Sequence, residues 1–255
     1  GTSRFQRMSL MGGTDTTLFN DAAPIYVPLR FWFCENPGLA LPLIALQYHE
    51  VKIIVDAQKP PGSDPFTKNG DPQLWADYIY LDTDERRRFA QVSHEYLIEQ
   101  VQHQSTTGVA SSADITLNFN HPVKELVFQA HTNDVVATAG IRATPLTGGN
   151  VLLKLNGHDR FSSRGIGYFC QTQVWQHHTG TPLTQDGTAI GVGNASNDEI
   201  AVYSFALKPE EHQPSGTCNF SRIDNAELVV NPAVATVTKI SVFAHGYNVL
   251  RVAQG

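Results

Sequence analysis

From Tyr96 onward, apolar and polar residues alternate with the period of two expected of a strand that has one covered face. In residues 114–120, Ile115, Leu117 and Phe119 fall on one side, and Asp114, Thr116, Asn118 and Asn120 on the other. In residues 124–131 the apolar face is Leu126, Phe128 and Ala130, and in 150–156 it is Val151, Leu153 and Leu155. Asn156-Gly157 then signals a tight hairpin turn. Residues 158–198 read as a long, polar, Gly-rich stretch anchored by Phe169 and Trp175. Residues 200–207, 226–231 and 239–252 supply further strands, giving about eight over roughly 160 residues, the count of a jelly-roll sandwich.

The pattern before Tyr96 differs. Residues 26–33 are nearly all apolar, as in a strand covered on both faces, with Pro28 marking an edge or a bulge. The spacing predicts a short buried helix over 39–48 with Pro42 in its first turn, and strands over 50–55 and 74–81. Residues 1–24 and 59–71 read as loops. Asp82, with Glu85 three residues on, opens a helix predicted to end near Val92.

Between 200–207 and 226–231 lies Pro214-Ser215-Gly216-Thr217-Cys218-Asn219-Phe220-Ser221-Arg222-Ile223-Asp224-Asn225, a turn-forming polar crossover. The strand, Glu35-Asn36-Pro37-Gly38 crossover and strand near the start repeat that order, offset by about 175 residues, as a weak internal repeat whose first copy lacks its beginning. Pro37, Gly38, Pro214, Gly216, Asn219, Arg222 and Asp224 are expected to hold the fold, with the Arg222 guanidinium among buried polar partners.

Composition narrows the function. The chain has 255 residues, 41% apolar and 16% charged, enough for a sizeable core. A formal net charge of −6 argues against sequence-independent nucleic-acid binding. The basic run Arg86-Arg87-Arg88 sits beside Asp82, Asp84 and Glu85, as a solvated or interface ion-pair cluster would. Cys34, Cys170 and Cys218 lack metal spacing and read as free thiols in a reducing compartment. No secretory signal or membrane-length apolar run is present, and the start at Gly1, without Met, reads as a fragment or a partly resolved chain.

Catalytic spacings fail one by one. A cupin-type metal site needs two His one residue apart on a strand, but His177 and His178 are adjacent and would face opposite ways. His49-Glu50 and His94-Glu95 lack the second His of a zinc-protease helix. There is no nucleophile elbow, and Gly165-Ile166-Gly167 and Gly191-Val192-Gly193 are too short for a phosphate loop. Trp75, Trp175, Tyr78 and Tyr80 suit core or interface packing better than sugar stacking. Asn194-Ala195-Ser196 and Asn219-Phe220-Ser221 match the glycosylation acceptor pattern, which is common by chance. The residues therefore give no catalytic, cofactor-binding or metal site.

Asn36-Pro37-Gly38-Leu39-Ala40-Leu41-Pro42-Leu43-Ile44-Ala45-Leu46-Gln47-Tyr48-His49-Glu50-Val51 closely resembles a stretch of the major capsid protein of large icosahedral double-stranded DNA viruses, nearest to the algal-virus branch. Asp77-Tyr78-Ile79-Tyr80-Leu81-Asp82-Thr83, His94-Glu95-Tyr96-Leu97-Ile98-Glu99-Gln100, Tyr203-Ser204-Phe205-Ala206-Leu207-Lys208-Pro209, Gln213 through Asn225, and Tyr247-Asn248-Val249-Leu250-Arg251 resemble it too, in the family's order. The resemblance implies an all-β double jelly-roll of the viral capsid type, with the first jelly roll only partly present and the second complete. Residues 1–82 would be the C-terminal part of the first, 83–94 a linker helix and 95–255 the second.

It further implies a structural protein, not an enzyme, which trimerises into pseudo-hexagonal capsomers tiling an icosahedral shell. The implied partners are two further copies, neighbouring capsomers and minor capsid proteins. Direct nucleic-acid contact is not expected, and an internal membrane beneath the shell would not be met through a transmembrane segment. The implied location is the virion, after assembly in the host cytoplasm. The loops at 58–73, 104–113, 132–149 and 171–198 would form the variable outer tops. A lectin-like carbohydrate-binding jelly roll is the alternative, and a cupin-like metalloenzyme the third reading.

Overall fold

The computed structural model describes residues 27–46, 49–55, 73–109, 113–131, 143–144, 149–179, 200–231 and 239–253. The chain divides into two compact units, residues 1–98 with 249–255, and residues 99–248.

The second unit carries two antiparallel sheets. The strands are β1 (His94–Thr107, which begins in the first unit), β2 (Ala113–Thr116), β3 (Pro122–His131), β4 (Ala143–Thr144), β5 (Asn150–Leu155), β6 (His158–Asp159), β7 (Arg164–Gly165), β8 (Ile200–Ser204), β9 (Cys218–Asn219), β10 (Ala226–Asn231) and β11 (Lys239–Val252). One sheet runs β1-β11-β3-β4, with β8 and β9 also paired to β3; the other runs β2-β10-β5-β6, with β7 on β5.

Register explains the core. Leu126, Phe128 and Ala130 of β3 stand opposite Ala244, Val242 and Ile240 of β11, and all six are fully buried. In the other sheet Leu228 lies between Ile115 and Leu153, and Val230 opposite Val151, again buried. Each large aliphatic side chain buried this way contributes about 1.5–3 kcal/mol. The alternation predicted for 114–120, 124–131 and 150–156 is thus the inner lining of two facing sheets. Asn156 (φ 52°) and Gly157 (φ 78°) make the tight turn, with Leu155 paired to His158.

Within 158–179 the chain departs from a plain loop. A π-helical turn, Tyr168–Thr172, leads into the short helix Gln173–His177. Phe169 is the expected anchor, fully buried against Phe128 at 5.8 Å and Phe161 at 5.5 Å. Trp175 is not: it is 78% exposed, because its short helix turns that position away from the sheet. The predictions for residues 1–24, 59–71 and Asn194 to Ser196 lie outside the described residues, as do most of the loops read at 58–73, 132–149 and 171–198; of the loop read at 104–113, residues 104–107 continue β1 instead.

In the first unit the prediction of strands fails. Residues 27–31 are irregular and exposed or half-buried, and Trp32–Glu35 forms a single helical turn, α1. In place of the helix expected over 39–48 there is a turn at 43–46. Residues 50–55 and 73–81 form no regular element and carry no ladder, and Ile54, Trp75 and Tyr80 stand exposed. A strand exists only through a neighbour's N–H and C=O groups, and none pairs with these segments among the described residues. The helix at the unit's end does form: α2, Thr83–Gln91, is capped by Asp82, whose Oδ1 accepts from Thr83 N at 2.7 Å. Arg87 reaches Asp84 at 3.9 Å on its exposed face, the solvated pairing read from the sequence.

Candidate functional site

The polar crossover is held by short-range bonds and by one buried ring. Asn219 Oδ1 accepts from Ser221 N at 3.0 Å and caps the 3-10 turn Phe220–Arg222. Asn36 does the same near the start, accepting from Gly38 N at 2.9 Å before the 3-10 turn Pro37–Leu39. The two crossovers therefore share a device, although the strands around the first do not form. Phe220 is buried and meets Phe119 and Phe205 edge-on, at 6.2 and 6.0 Å. Ser221 Oγ accepts from His121 N, and Asn156 Oδ1 accepts from the backbone N–H groups of Asp224 and Asn225. Gly216, at φ 140°, could not carry a Cβ without approaching Phe205 O to 2.9 Å. Arg222 departs from the expectation: its side chain is exposed, because the 3-10 turn buries Phe220 and directs Arg222 outward.

The densest chemistry lies in an ionic cluster of the second unit. Glu125 and His245 are direct cross-strand partners on β3 and β11. His245 Nδ1 lies 3.0 Å from Glu125 Oε1, and its Nε2 lies 2.9 Å from Glu99 Oε2 on β1. Glu99 Oε2 also accepts from Lys124 Nζ at 2.8 Å, and the Lys124 side chain is only 1% exposed. On the other flank His178 Nε2 stands 3.0 Å from Glu125 Oε2, an ion-pair distance without hydrogen-bond alignment. His178 Nδ1 is 3.1 Å from Glu210 Oε1. Thr179 closes that end, its backbone N and Oγ1 both donating to Glu210. His212 Nδ1 lies at the rim, 3.4 Å from Glu99 Oε1.

The electrostatics follow from these distances. Burial by itself would raise both carboxyls, but the contacts of His245 and Lys124 hold Glu99 at about 2, and the nearby His178 and His245 hold Glu125 at about 2. Burial would lower the two imidazoles, yet Glu125 with Glu210 raises His178, and Glu125 with Glu99 raises His245. Tyr247, buried beside these carboxylates with Lys124 Nζ 5.2 Å from its ring, is pushed up to about 12, mainly by burial. The cluster pairs charges across strands. Among the described residues no group of His, Cys, Asp and Glu has the geometry to hold a metal ion.

The sequence reading found no metal spacing among the histidines and did not find this cluster. The available signal was ionisable residues inside apolar strands, Lys124-Glu125 in β3 and His245 in β11. Other histidines are placed singly: His94 Nε2 lies 2.9 Å from Phe89 O with its ring stacked on Phe89, and His177 Nδ1 lies 3.0 Å from Leu207 O. No helix among the described residues is long and apolar enough to cross a membrane.

Two family models match the chain in tandem. "Major capsid protein N-terminus" covers residues 3–82, and "Large eukaryotic DNA virus major capsid protein" covers residues 85–255. The chain belongs to the major capsid protein family of large eukaryotic DNA viruses. It is 51% identical over 244 residues to the major capsid protein of Pyramimonas orientalis virus, covering 91% of this chain and 59% of that protein. Against the major capsid protein of Paramecium bursaria Chlorella virus 1, identity is 37% over 296 residues, covering 90% of this chain and 64% of the relative. Among solved structures, a chain of the PBCV-1 virus capsid quasi-atomic model superposes with a TM-score of 0.64 at 34% identity, over 91% of this chain and 68% of that one. The chain thus spans about three-fifths of the length of the curated relatives it matches. The antiparallel all-β architecture belongs to the viral double jelly-roll class of these capsid proteins, the class expected from the sequence. It is a family of structural capsid proteins, in agreement with the failed catalytic spacings.

Proposed function

We propose that this chain serves as shell-forming sequence of an icosahedral capsid, acting in the virion as the subunit of a trimeric, pseudo-hexagonal capsomer. The observation that carries the reading is the tandem match, whose break at residues 83–84 coincides with the start of α2. On this reading residues 1–82 are the C-terminal part of a first jelly roll, 83–94 the linker helix and 95–255 a second, complete jelly roll. Two jelly rolls in each of three subunits give six similar lobes, which tile a shell as a hexamer would. Neighbouring capsomers and minor capsid proteins are the further partners, with assembly in the host cytoplasm and no direct contact with nucleic acid. The exposed Trp75, Tyr80 and Trp175 favour interfaces over a purely internal packing role, since large exposed aromatics mark contact surfaces.

Native mass measurement on the full-length protein tests the proposal, followed by electron microscopy of any assemblies. A native mass three times the denatured mass, with hexagonal particles, is the expected outcome. A monomer at all concentrations that binds a glycan array would replace it with the carbohydrate-binding reading.

A further inference from the structure

Glu99, His245, Glu125, His178 and Glu210 form one unbroken chain in which acid and base alternate, with steps of 2.9, 3.0, 3.0 and 3.1 Å. Both ring nitrogens of His245 face carboxylate oxygens; those of His178 lie 3.1 Å from Glu210 Oε1 and, out of hydrogen-bond line, 3.0 Å from Glu125 Oε2. A neutral imidazole carries one N–H and one lone pair, so either ring, if neutral, would turn a lone pair toward a carboxylate. Only the imidazolium satisfies both contacts. The charge count agrees: three carboxylates meet one lysine ammonium, that of Lys124, and balance requires both histidines to carry a proton.

The chain joins parts of the unit distant in sequence. Glu99 comes from β1, Lys124 and Glu125 from β3, His245 and Tyr247 from β11, His178 from the end of the short helix, and Glu210 and His212 from the segment after β8. Lys208 and Glu211 on that segment pair with each other at 3.0 Å.

We propose that Glu99, His245, Glu125, His178 and Glu210 act as a pH-dependent lock, which fastens residues 178–179 and 205–212 to the β3–β11 sheet while both imidazoles are protonated and loosens when they lose those protons. The sign follows from linkage. The histidines, raised above 6.5, contribute stability that is complete below pH 6.5 and lost as pH climbs through their raised values. The buried carboxylates, lowered from 4.5 to about 2, contribute stability present above pH 4.5 and lost as pH falls toward 2. The lock is therefore tightest between about pH 4.5 and 6.5 and opens on the alkaline side.

Hydrogen exchange on the full-length protein, corrected for the intrinsic pH dependence of amide exchange, reads the lock directly. Protection at Thr179 and 205–212 is expected to fall between pH 6.5 and 9, by about tenfold for each unit by which a histidine's pKa stands above 6.5. His178→Gln keeps an amide donor but cannot titrate, and should flatten the alkaline limb at these residues. His158→Gln, exposed on β6 of the other sheet, should retain the wild-type profile. Unchanged wild-type protection across that range, the same alkaline loss in His178→Gln, or a flattened profile in His158→Gln would overturn the proposal. Ring-nitrogen NMR of the wild type needs no variant to fold: both rings should be doubly protonated at pH 6, and a bare ring nitrogen on either would equally overturn it.

Discussion

Single side chains carry disproportionate energy where burial and charge coincide. Lys124 is almost wholly buried, with Glu99 as its carboxylate partner. Truncating it strands a carboxylate that His245 still pairs but that has lost its permanent cation. Lys124→Ala is expected to cost about 3–5 kcal/mol, the usual loss on breaking a buried pair, measured by urea unfolding at pH 6. Arg222 is the contrary case. Reading a guanidinium into a polar crossover suggested a buried anchor, but its exposed position makes Arg222→Ala nearly neutral, within about 0.5 kcal/mol in the isolated chain. A loss above about 2 kcal/mol in the same titration would restore the buried-anchor expectation. The difference was not legible because a 3-10 turn places consecutive residues about a third of a turn apart, and only packing decides that Phe220 goes inward.

At the scale of elements, side chains also substitute for strands. Past β2, Leu117 N still donates to Ala226 O of β10 at 2.8 Å, and two glutamines of β1 bond the backbone of residues 116, 118 and 120. Gln102 accepts from Asn120 N at 3.0 Å and donates to Asn120 O at 2.6 Å. Gln104 accepts from Asn118 N at 3.0 Å and donates to Thr116 O at 2.5 Å. Each amide presents the same acceptor and donor as a peptide group, so the pair mimics a strand edge. Gln104→Ala should cost about 0.5–1.5 kcal/mol, the net worth of an ordinary hydrogen bond, because both bonds are exposed and water can replace them. It should also speed exchange at Asn118 while leaving β10 unchanged, and equal exchange at Asn118 in variant and wild type would remove the glutamines from that role. The alternation of Ile115, Leu117 and Phe119 was legible because burial follows side-chain parity whether or not the ladder continues. The glutamines were not, since polar residues on an outward face look alike whatever they bond.

At the scale of the whole chain, runs rich in strand-forming residues lead to opposite results in the two units. In the second, β3 has β11 on one side and β8 on the other, and the apolar pattern becomes a core. In the first, 50–55 and 73–81 hold comparably apolar residues, but Tyr80 is 92% exposed and no ladder forms. Periodicity registers which residues are able to line a strand; whether the strand forms depends on a partner elsewhere, which a local pattern does not contain. The chain by itself should therefore unfold in two steps of very different protection. Amides of β3, β10 and β11 should exchange only through opening of the second unit, while those of 50–55 and 73–81 should exchange at nearly the free rate. Among the described residues, limited proteolysis should cut first within 49–55 or 73–82, ahead of β3, β10 and β11. In the full-length protein the same bonds should become resistant if the exposed Trp75 and Tyr80 are covered by the rest of the subunit or by a neighbouring copy. Equal cleavage of these bonds in both would mean that neither the rest of the subunit nor a neighbouring copy covers these aromatics.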